Sequence, residues 1–233
     1  MNIWTFRDSL ILDDDQAETA LSAIPFDNSH QILHFGVKGE APGELLQSAK
    51  YIDGSAEFEC YNLAKRAVIA YNFASVLSDS STRGREIFKF PDGIFFSMVK
   101  VSSDIYVGTT LRDYNRITIV DKSGTIIGHH GAYPAGDADV KDTLNYIKSL
   151  AYYANMCRQK DGKRIAMACN WADILEIYEW DPTESKLRTI SQIINLQLQY
   201  MVYDRKGTPN FMLSKETVTG FLDITQGRSS VMR

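Results

Sequence analysis

The sequence predicts an all-β protein assembled from repeated four-stranded antiparallel units. Three observations carry this expectation. Short runs rich in Ile, Val, Tyr and Phe recur between clusters of Asp, Gly, Asn and Ser along all 233 residues, the pattern of strands closed by turns. The turns repeat a local grammar, with an Asp opening each and a Gly often following. The strands are apolar on both faces, which fits sheets covered on both sides and not a sheet with one wet face.

Taken in chain order, Ile24-Pro-Phe-Asp27-Asn-Ser-His30-Gln-Ile-Leu33 reads as a first hairpin. Asp53-Gly54 and Asp161-Gly162 each precede a strand with a cysteine, a short polar loop and a strand ending in aromatic residues, Ala67–Tyr71 and Leu175–Trp180. Pro91-Asp92-Gly93 before Ile94-Phe-Phe96 reads as a third copy. Arg116-Ile-Thr-Ile-Val120 alternates, placing Ile117 and Ile119 on one face and Arg116, Thr118 and Val120 on the other. Asp121-Lys-Ser-Gly124 then turns the chain into Thr125–Gly128, and Asp204-Arg-Lys-Gly207 opens another such turn. The single helix signal runs from about Ala138 to Leu150, where Val140, Leu144, Ile147 and Leu150 fall at steps of three and four. It reads as an insertion between units, with Leu150–Ala154 beginning a strand. Tyr71, Phe95, Phe96, Tyr178 and Trp180 are expected to pack between sheets.

A unit of roughly 40 to 50 residues is the size of a four-stranded propeller blade. Residues 1–233 are therefore expected to form a single β-propeller domain of four-stranded antiparallel blades, about five units, with one short helical insertion. A ring left incomplete would expose strand edges, which predicts self-association.

Composition narrows the function. A net charge of −4 and a pI near 5.6 provide no basic field for nucleic acid or for an anionic membrane. Cys60, Cys157 and Cys169 make an odd set without CxxC spacing, so neither a disulfide framework nor a zinc ribbon is expected. No stretch reaches the roughly 18 apolar residues of a transmembrane segment, and Met1–Leu12 lacks the features of a secretory signal.

Phe35-Gly36-Val-Lys-Gly39-Glu-Ala-Pro42-Gly43-Glu44 resembles the glycine–proline loop after the first hairpin of bacterial TolB-like six-bladed β-propeller proteins, common in Bacteroidetes. The similarity continues through Ile117–Asp121 with Gly124, through Asp161–Ile165 and through Gly220-Phe-Leu-Asp223-Ile224. It implies a shortened member of that family in the bacterial cell envelope or periplasm, with no reaction general to such scaffolds.

Three loops are expected to join the second and third strands of successive blades: Asn62–Lys65, Arg112–Asn115 and Asn170–Asp173. They would present Lys65, Arg112, Tyr114, Trp171 and Asp173, a mixture of aromatic platforms and charged groups suited to a peptide or a sugar. Gly36, Gly39 and Gly43 read as a structural turn, since no Lys-Ser/Thr pair follows them. His129 and His130, adjacent on a strand, face opposite sides and do not readily share a metal ion. His30 and His34 read as turn and packing residues, and Asp13–Asp15 as a solvated acidic turn. No GxSxG, HExxH or calcium-hand motif is present. The expected function is a non-enzymatic scaffold for a protein or small extracellular ligand, without catalytic residues, metal or cofactor. The alternative is a hydrolase or lyase acting on a sugar or lactone at a central channel, with Asp113 and Asp173 as the carboxylate pair.

Overall fold

A computed structural model describes residues 2–13, 18–27, 31–46, 49–79, 82–111, 115–134, 145–195, 200–215, 220–221 and 224. The strands in chain order are β1 (Asn2–Phe6), β2 (Ser9–Asp13), β3 (Thr19–Pro25), β4 (Leu33–Val37), β5 (Ala49–Ile52), β6 (Phe58–Asn62), β7 (Ala67–Tyr71), β8 (Arg85–Lys89), β9 (Ile94–Lys100), β10 (Ile105–Leu111), β11 (Asn115–Asp121), β12 (Ile126–Ala132), β13 (Ala154–Arg158), β14 (Arg164–Cys169), β15 (Ile174–Asp181), β16 (Lys186–Ile194), β17 (Tyr200–Arg205) and β18 (Thr208–Leu213). The helices are α1 (Phe73–Ser78) and α2 (Asn145–Ala151). Each successive set of four strands from β1 to β16 forms one antiparallel sheet in sequence order, and β17–β18 form a two-stranded sheet. The fold is a β-propeller of four-stranded antiparallel blades. The expectation of about five units resolves, among the described residues, into four complete blades and one hairpin.

The chain divides into two compact units, 1–94 with 122–125, and 95–121 with 126–233. The first carries blades one and two. Its interior is an aromatic lattice in which Phe6, Phe35, Phe58, Tyr71 and Phe73 meet edge to face, with Phe35 and Tyr71 centroids 5.3 Å apart and Phe6 and Phe73 5.2 Å apart. Such T-shaped pairs add roughly 0.5–1.5 kcal/mol each beyond their buried area. Every residue of β6 and β7 is buried, as expected for central strands covered on both faces.

The second unit carries blades three and four and the hairpin. In β15 the buried positions Ile174, Glu176, Tyr178 and Trp180 alternate with half-buried ones. In β11 the alternation seen in the sequence holds, but Arg116 through Val120 are all buried. The outermost strands β12 and β16 are largely exposed. Pairing of the third with the fourth strand shifts register at Val68/Ile69, Ile119/Val120 and Ile177/Tyr178. A bulge therefore recurs in three blades, where it adds twist to the outer edge.

Several sequence expectations change in detail. The Asp53-Gly54 and Asp161-Gly162 turns both lead into the second strand of a blade, whereas Pro91–Gly93 joins β8 to β9 and so lies between blades. The helix signal survives in α2, which runs through Ala151, so Leu150 and Ala151 belong to the helix and β13 starts at Ala154. Residues 138–144 of the expected helix lie outside the described residues. The unanticipated helix α1 is preceded by Asn72, whose Oδ1 accepts from the amides of Ala74 and Ser75 at 3.1 and 3.3 Å. This is an N-cap. Tyr71, Phe95, Tyr178 and Trp180 are buried as expected, and half-buried Phe96 packs edge-on against Tyr153 at 5.2 Å.

The turn Asp204–Gly207 is a two-residue hairpin loop with Lys206 at φ 56° and Gly207 at φ 80°. Both central residues at positive φ match the strand twist, and the Gly207 amide donates to Asp204 Oδ1 at 2.7 Å.

Candidate functional site

Of the three expected loops, Asn62–Lys65 shifts by one residue, since Asn62 ends β6 and 63–66 leads into β7; Asn170–Asp173 lies between β14 and β15; and of Arg112–Asn115 only Asn115 is described, as the first residue of β11. Each links the second and third strands of its blade. Arg112 and Tyr114, with Asp113, lie outside the described residues.

Lys65 belongs to the first unit, where its ammonium is committed. Nζ donates to the Ala41 carbonyl at 2.6 Å and to the Glu44 carbonyl at 3.0 Å, and its own amide donates to Asn62 Oδ1 at 3.0 Å. Glu44 Oε2 accepts from the Ala41 amide at 3.1 Å. Lys65 thus clamps the glycine–proline loop, which is a structural turn: at Gly43, φ 77°, a Cβ would collide with the Gly84 carbonyl oxygen. His34 Nδ1 pairs with Ser22 Oγ at 2.9 Å, and Asp13 Oδ2 accepts from Asn2 Nδ2 at 2.9 Å; Asp14, Asp15 and His30 are not among the described residues.

In the second unit, the β14–β15 turn has two different sides. Asp173 is tied to the end of β16, because Asn195 Nδ2 donates to its carboxylate at 2.7 Å and the Asn195 amide to its carbonyl at 3.1 Å. Trp171, half-buried, joins Tyr133, Tyr200, Phe211 and Leu213 around a buried nucleus of Ala151, Tyr152, Cys169, Ala172 and Ile174. This apolar seat is assembled from distant pieces of chain. Helix α2 packs against β10 and β18, and the Gly220 and Phe221 amides donate to the carbonyls of Asn170 and Cys169 at 2.8 and 2.9 Å. Gly220 must be glycine for this approach, since a Cβ there would collide with the Ala172 and Cys169 carbonyls.

Beneath the seat lies a group that sequence reading missed as a site. Arg116, 2% exposed, and Glu176, 3% exposed, meet at 3.0 Å through Nη2 and Oε2. The Arg116 guanidinium also lies 5.7 Å from the Tyr152 ring centroid. Gln192 Nε2 donates to Glu176 Oε1 at 2.7 Å. The approach of Arg116 to Glu176 lacks hydrogen-bond alignment. Arg116 Nε, Nη1 and Nη2, Glu176 Oε2, Tyr152 Oη and Asn170 Oδ1 are all buried without a hydrogen-bond partner among the described residues. The available signal was Arg116 inside a strand expected to be covered on both faces, where a charge needs a partner.

The ionisation of the neighbours follows from this burial. Tyr152 is pushed up to about 12, first by desolvation and then by Tyr200, against the pull of Arg116. Desolvation and then the Glu176 charge raise Tyr178. Desolvation also raises the Cys169 thiol, opposed by the backbone amides of Trp171 and Ala172 and by Arg116. These groups hold their protons at neutral pH, which suits hydrogen bonding and packing and gives no activated nucleophile. His130 stands edge-on to Tyr178 at 5.4 Å, with Nε2 2.9 Å from Thr189 Oγ1. Among the described residues no three His, Cys, Asp or Glu side chains gather to hold a metal ion, and no helix is long and apolar enough to cross a membrane.

No family model matches the sequence, and no curated protein matches it. Among solved structures, the chain is similar to apo AztD from Citrobacter koseri, with 16% identity, a TM-score of 0.46, and coverage of 92% of this chain and 49% of that one. It is similar to a putative exported protein of Bacteroides fragilis at 13% identity and TM-score 0.39, covering 81% of this chain and 70% of the other. It is also similar to prolyl oligopeptidase B from Galerina marginata at 13% identity and TM-score 0.47, covering 86% of this chain and 28% of the other. The chain thus spans about half the length of AztD.

Proposed function

We propose that this chain is a non-enzymatic binding module. In this reading residues 1–233 act as one propeller domain of the TolB-like kind, held in the bacterial cell envelope, that presents the β14–β15 turn to a peptide or a sugar. The observation that carries it is the half-buried aromatic group of Trp171, Tyr133, Tyr200 and Phe211 around a buried nucleus that includes Tyr152, whose ring lies 5.7 Å from the buried Arg116 guanidinium. Aromatic rings beside hydrogen-bonding groups are what such ligands use for affinity and orientation. Among the charged residues expected at the site, Lys65 and Asp173 are already engaged within the protein, so recognition rests on Trp171 with whatever Arg112 and Tyr114 add.

Trp171 fluorescence tests the reading. Titration with neutral and acidic monosaccharides and short peptides is expected to change the emission of the native protein but not of Trp171→Phe, in which Trp4 and Trp180 remain. An emission that no member of the panel alters would contradict the assignment of the seat.

A further inference from the structure

The buried Arg116 is held on one side only. Glu176 approaches Nη2 at 3.0 Å, while Nε and Nη1 point at no acceptor among the described residues. A guanidinium is a planar fork of five donors that matches a carboxylate two bonds at a time. Leaving such donors buried and unpaired costs several kilocalories per mole in general, so native structures fill them with water or ligand. Tyr152 Oη, another buried hydroxyl without a partner, belongs to the ring that covers Arg116. Most of the orphaned atoms are therefore donors, and the complement to donors is an oxyanion.

The Arg116–Glu176 pair is already neutral, so a second carboxylate adds a negative charge that hydrogen bonds within the site must offset. Glu176 is not dependent on Arg116 alone, because Gln192 donates to it at 2.7 Å and the Tyr178 phenol lies against it. A guanidinium carries carboxylates on two edges at once. The position also joins the aromatic seat, since Tyr152 belongs to the buried nucleus around which Trp171, Tyr133 and Tyr200 pack.

We infer that Arg116, with Tyr152 Oη, forms a subsite for the carboxylate of a small ligand whose remaining body rests on the aromatic group around Trp171. This rests on the binding reading above and names its ligand class. A sugar acid and a peptide C-terminus share that chemistry, so the probes separate them: acetate as the minimal group, D-glucuronate against D-glucose, and N-acetylglycine against N-acetylglycinamide.

Thermal unfolding is followed with each probe, because a ligand that binds only the folded state raises the midpoint. Acetate and one of the two larger acids are expected to raise the midpoint by several degrees while the neutral analogues do not; glucuronate alone identifies a sugar acid, N-acetylglycine alone a peptide terminus. Tyr152→Phe, which removes one hydroxyl and keeps the ring, is expected to weaken the acid by about tenfold. Arg116→Met with Glu176→Leu, which leaves no unpaired charge, is expected to abolish the response. Equal responses to acid and amide, or a crystal structure in acetate with only ordered water at Nε and Nη1, would overturn the inference and leave the binding reading intact. A Trp171 signal unmoved by every probe would remove the reading together with the inference.

Discussion

The two units of this propeller solve the same packing problem with different chemistry. In the first, blades one and two close on an aromatic lattice in which Phe6, Phe35, Phe58, Tyr71 and Phe73 interlock. In the second, an apolar cluster of Ile117, Ile119, Ile165, Met167, Tyr178 and Trp180 is accompanied by the buried Arg116–Glu176 pair. The first also buries Asp13, Glu59 and Asn62, but there the polar groups are met by Asn2, Ser55 and the Leu46 carbonyl through hydrogen bonds. A buried ion pair contributes little net stability against a well-packed apolar alternative, so its presence in the second unit calls for a reason other than stability.

Substitutions in each unit separate the two kinds of packing. The largest effects are expected from Phe58→Ala in the first unit and Glu176→Ala in the second, each costing about 3–5 kcal/mol, the one by opening a cavity and the other by stranding the Arg116 charge. Urea denaturation measures both. Equal losses would arise from opposite causes, and Arg116→Met with Glu176→Leu separates them: the double variant is expected to recover to within about 1 kcal/mol of the native protein. No rescue of that kind exists for Phe58.

Next in size are the glycines at close approaches. Gly43→Ala and Gly220→Ala are each expected to cost about 2 kcal/mol or more, because the added Cβ meets backbone oxygens that cannot withdraw. Gly43→Ala would lower the stability of the first unit, whereas Gly220→Ala would also loosen the seat and change Trp171 emission. Lys65→Met is expected to cost about 1 kcal/mol by releasing the loop at Ala41 and Glu44, and to leave Trp171 emission unchanged. A ligand-binding defect in Lys65→Met would restore it as a contact residue.

The smallest effect concerns pH. Burial lowers the His130 pKa below its ordinary value near 6.5, against the raising influence of Glu176. The unfolded chain then takes up a proton before the folded one does, so stability is complete above pH 6.5 and declines as pH falls through the folded value. His130→Asn is expected to flatten that part of a stability–pH curve measured by urea denaturation, and an unchanged slope would assign it to other groups.

Much of the fold was legible because its signals are local. Asp204–Gly207, Asp121–Gly124 and the two Asp-Gly turns at 53 and 161 are set by backbone conformation within a few residues, and they fixed the strand order that placed the three loops. The Pro91–Gly93 turn misled because the same local chemistry serves equally well between blades and within one. Helix α1 escaped notice because six residues give too little periodicity, leaving only the Asn72 cap as a signal. The candidate site was least legible. Trp171 was recognisable as an aromatic residue in a turn, but its neighbours Tyr133, Tyr152, Tyr200 and Phe211 come from four other segments. Arg116 read as a polar member of an alternating strand and Glu176 lay unremarked within Leu175–Trp180, and only the structure shows that both are buried and meet.

The most direct measurement is the urea denaturation of Arg116→Met with Glu176→Leu, with and without acetate, beside the native protein. The double variant is expected to match the native protein without acetate, and only the native protein is expected to gain stability when acetate is added. A double variant that is far less stable without acetate, or one that gains as much as the native protein with it, would contradict the claim that this buried pair serves binding and not packing.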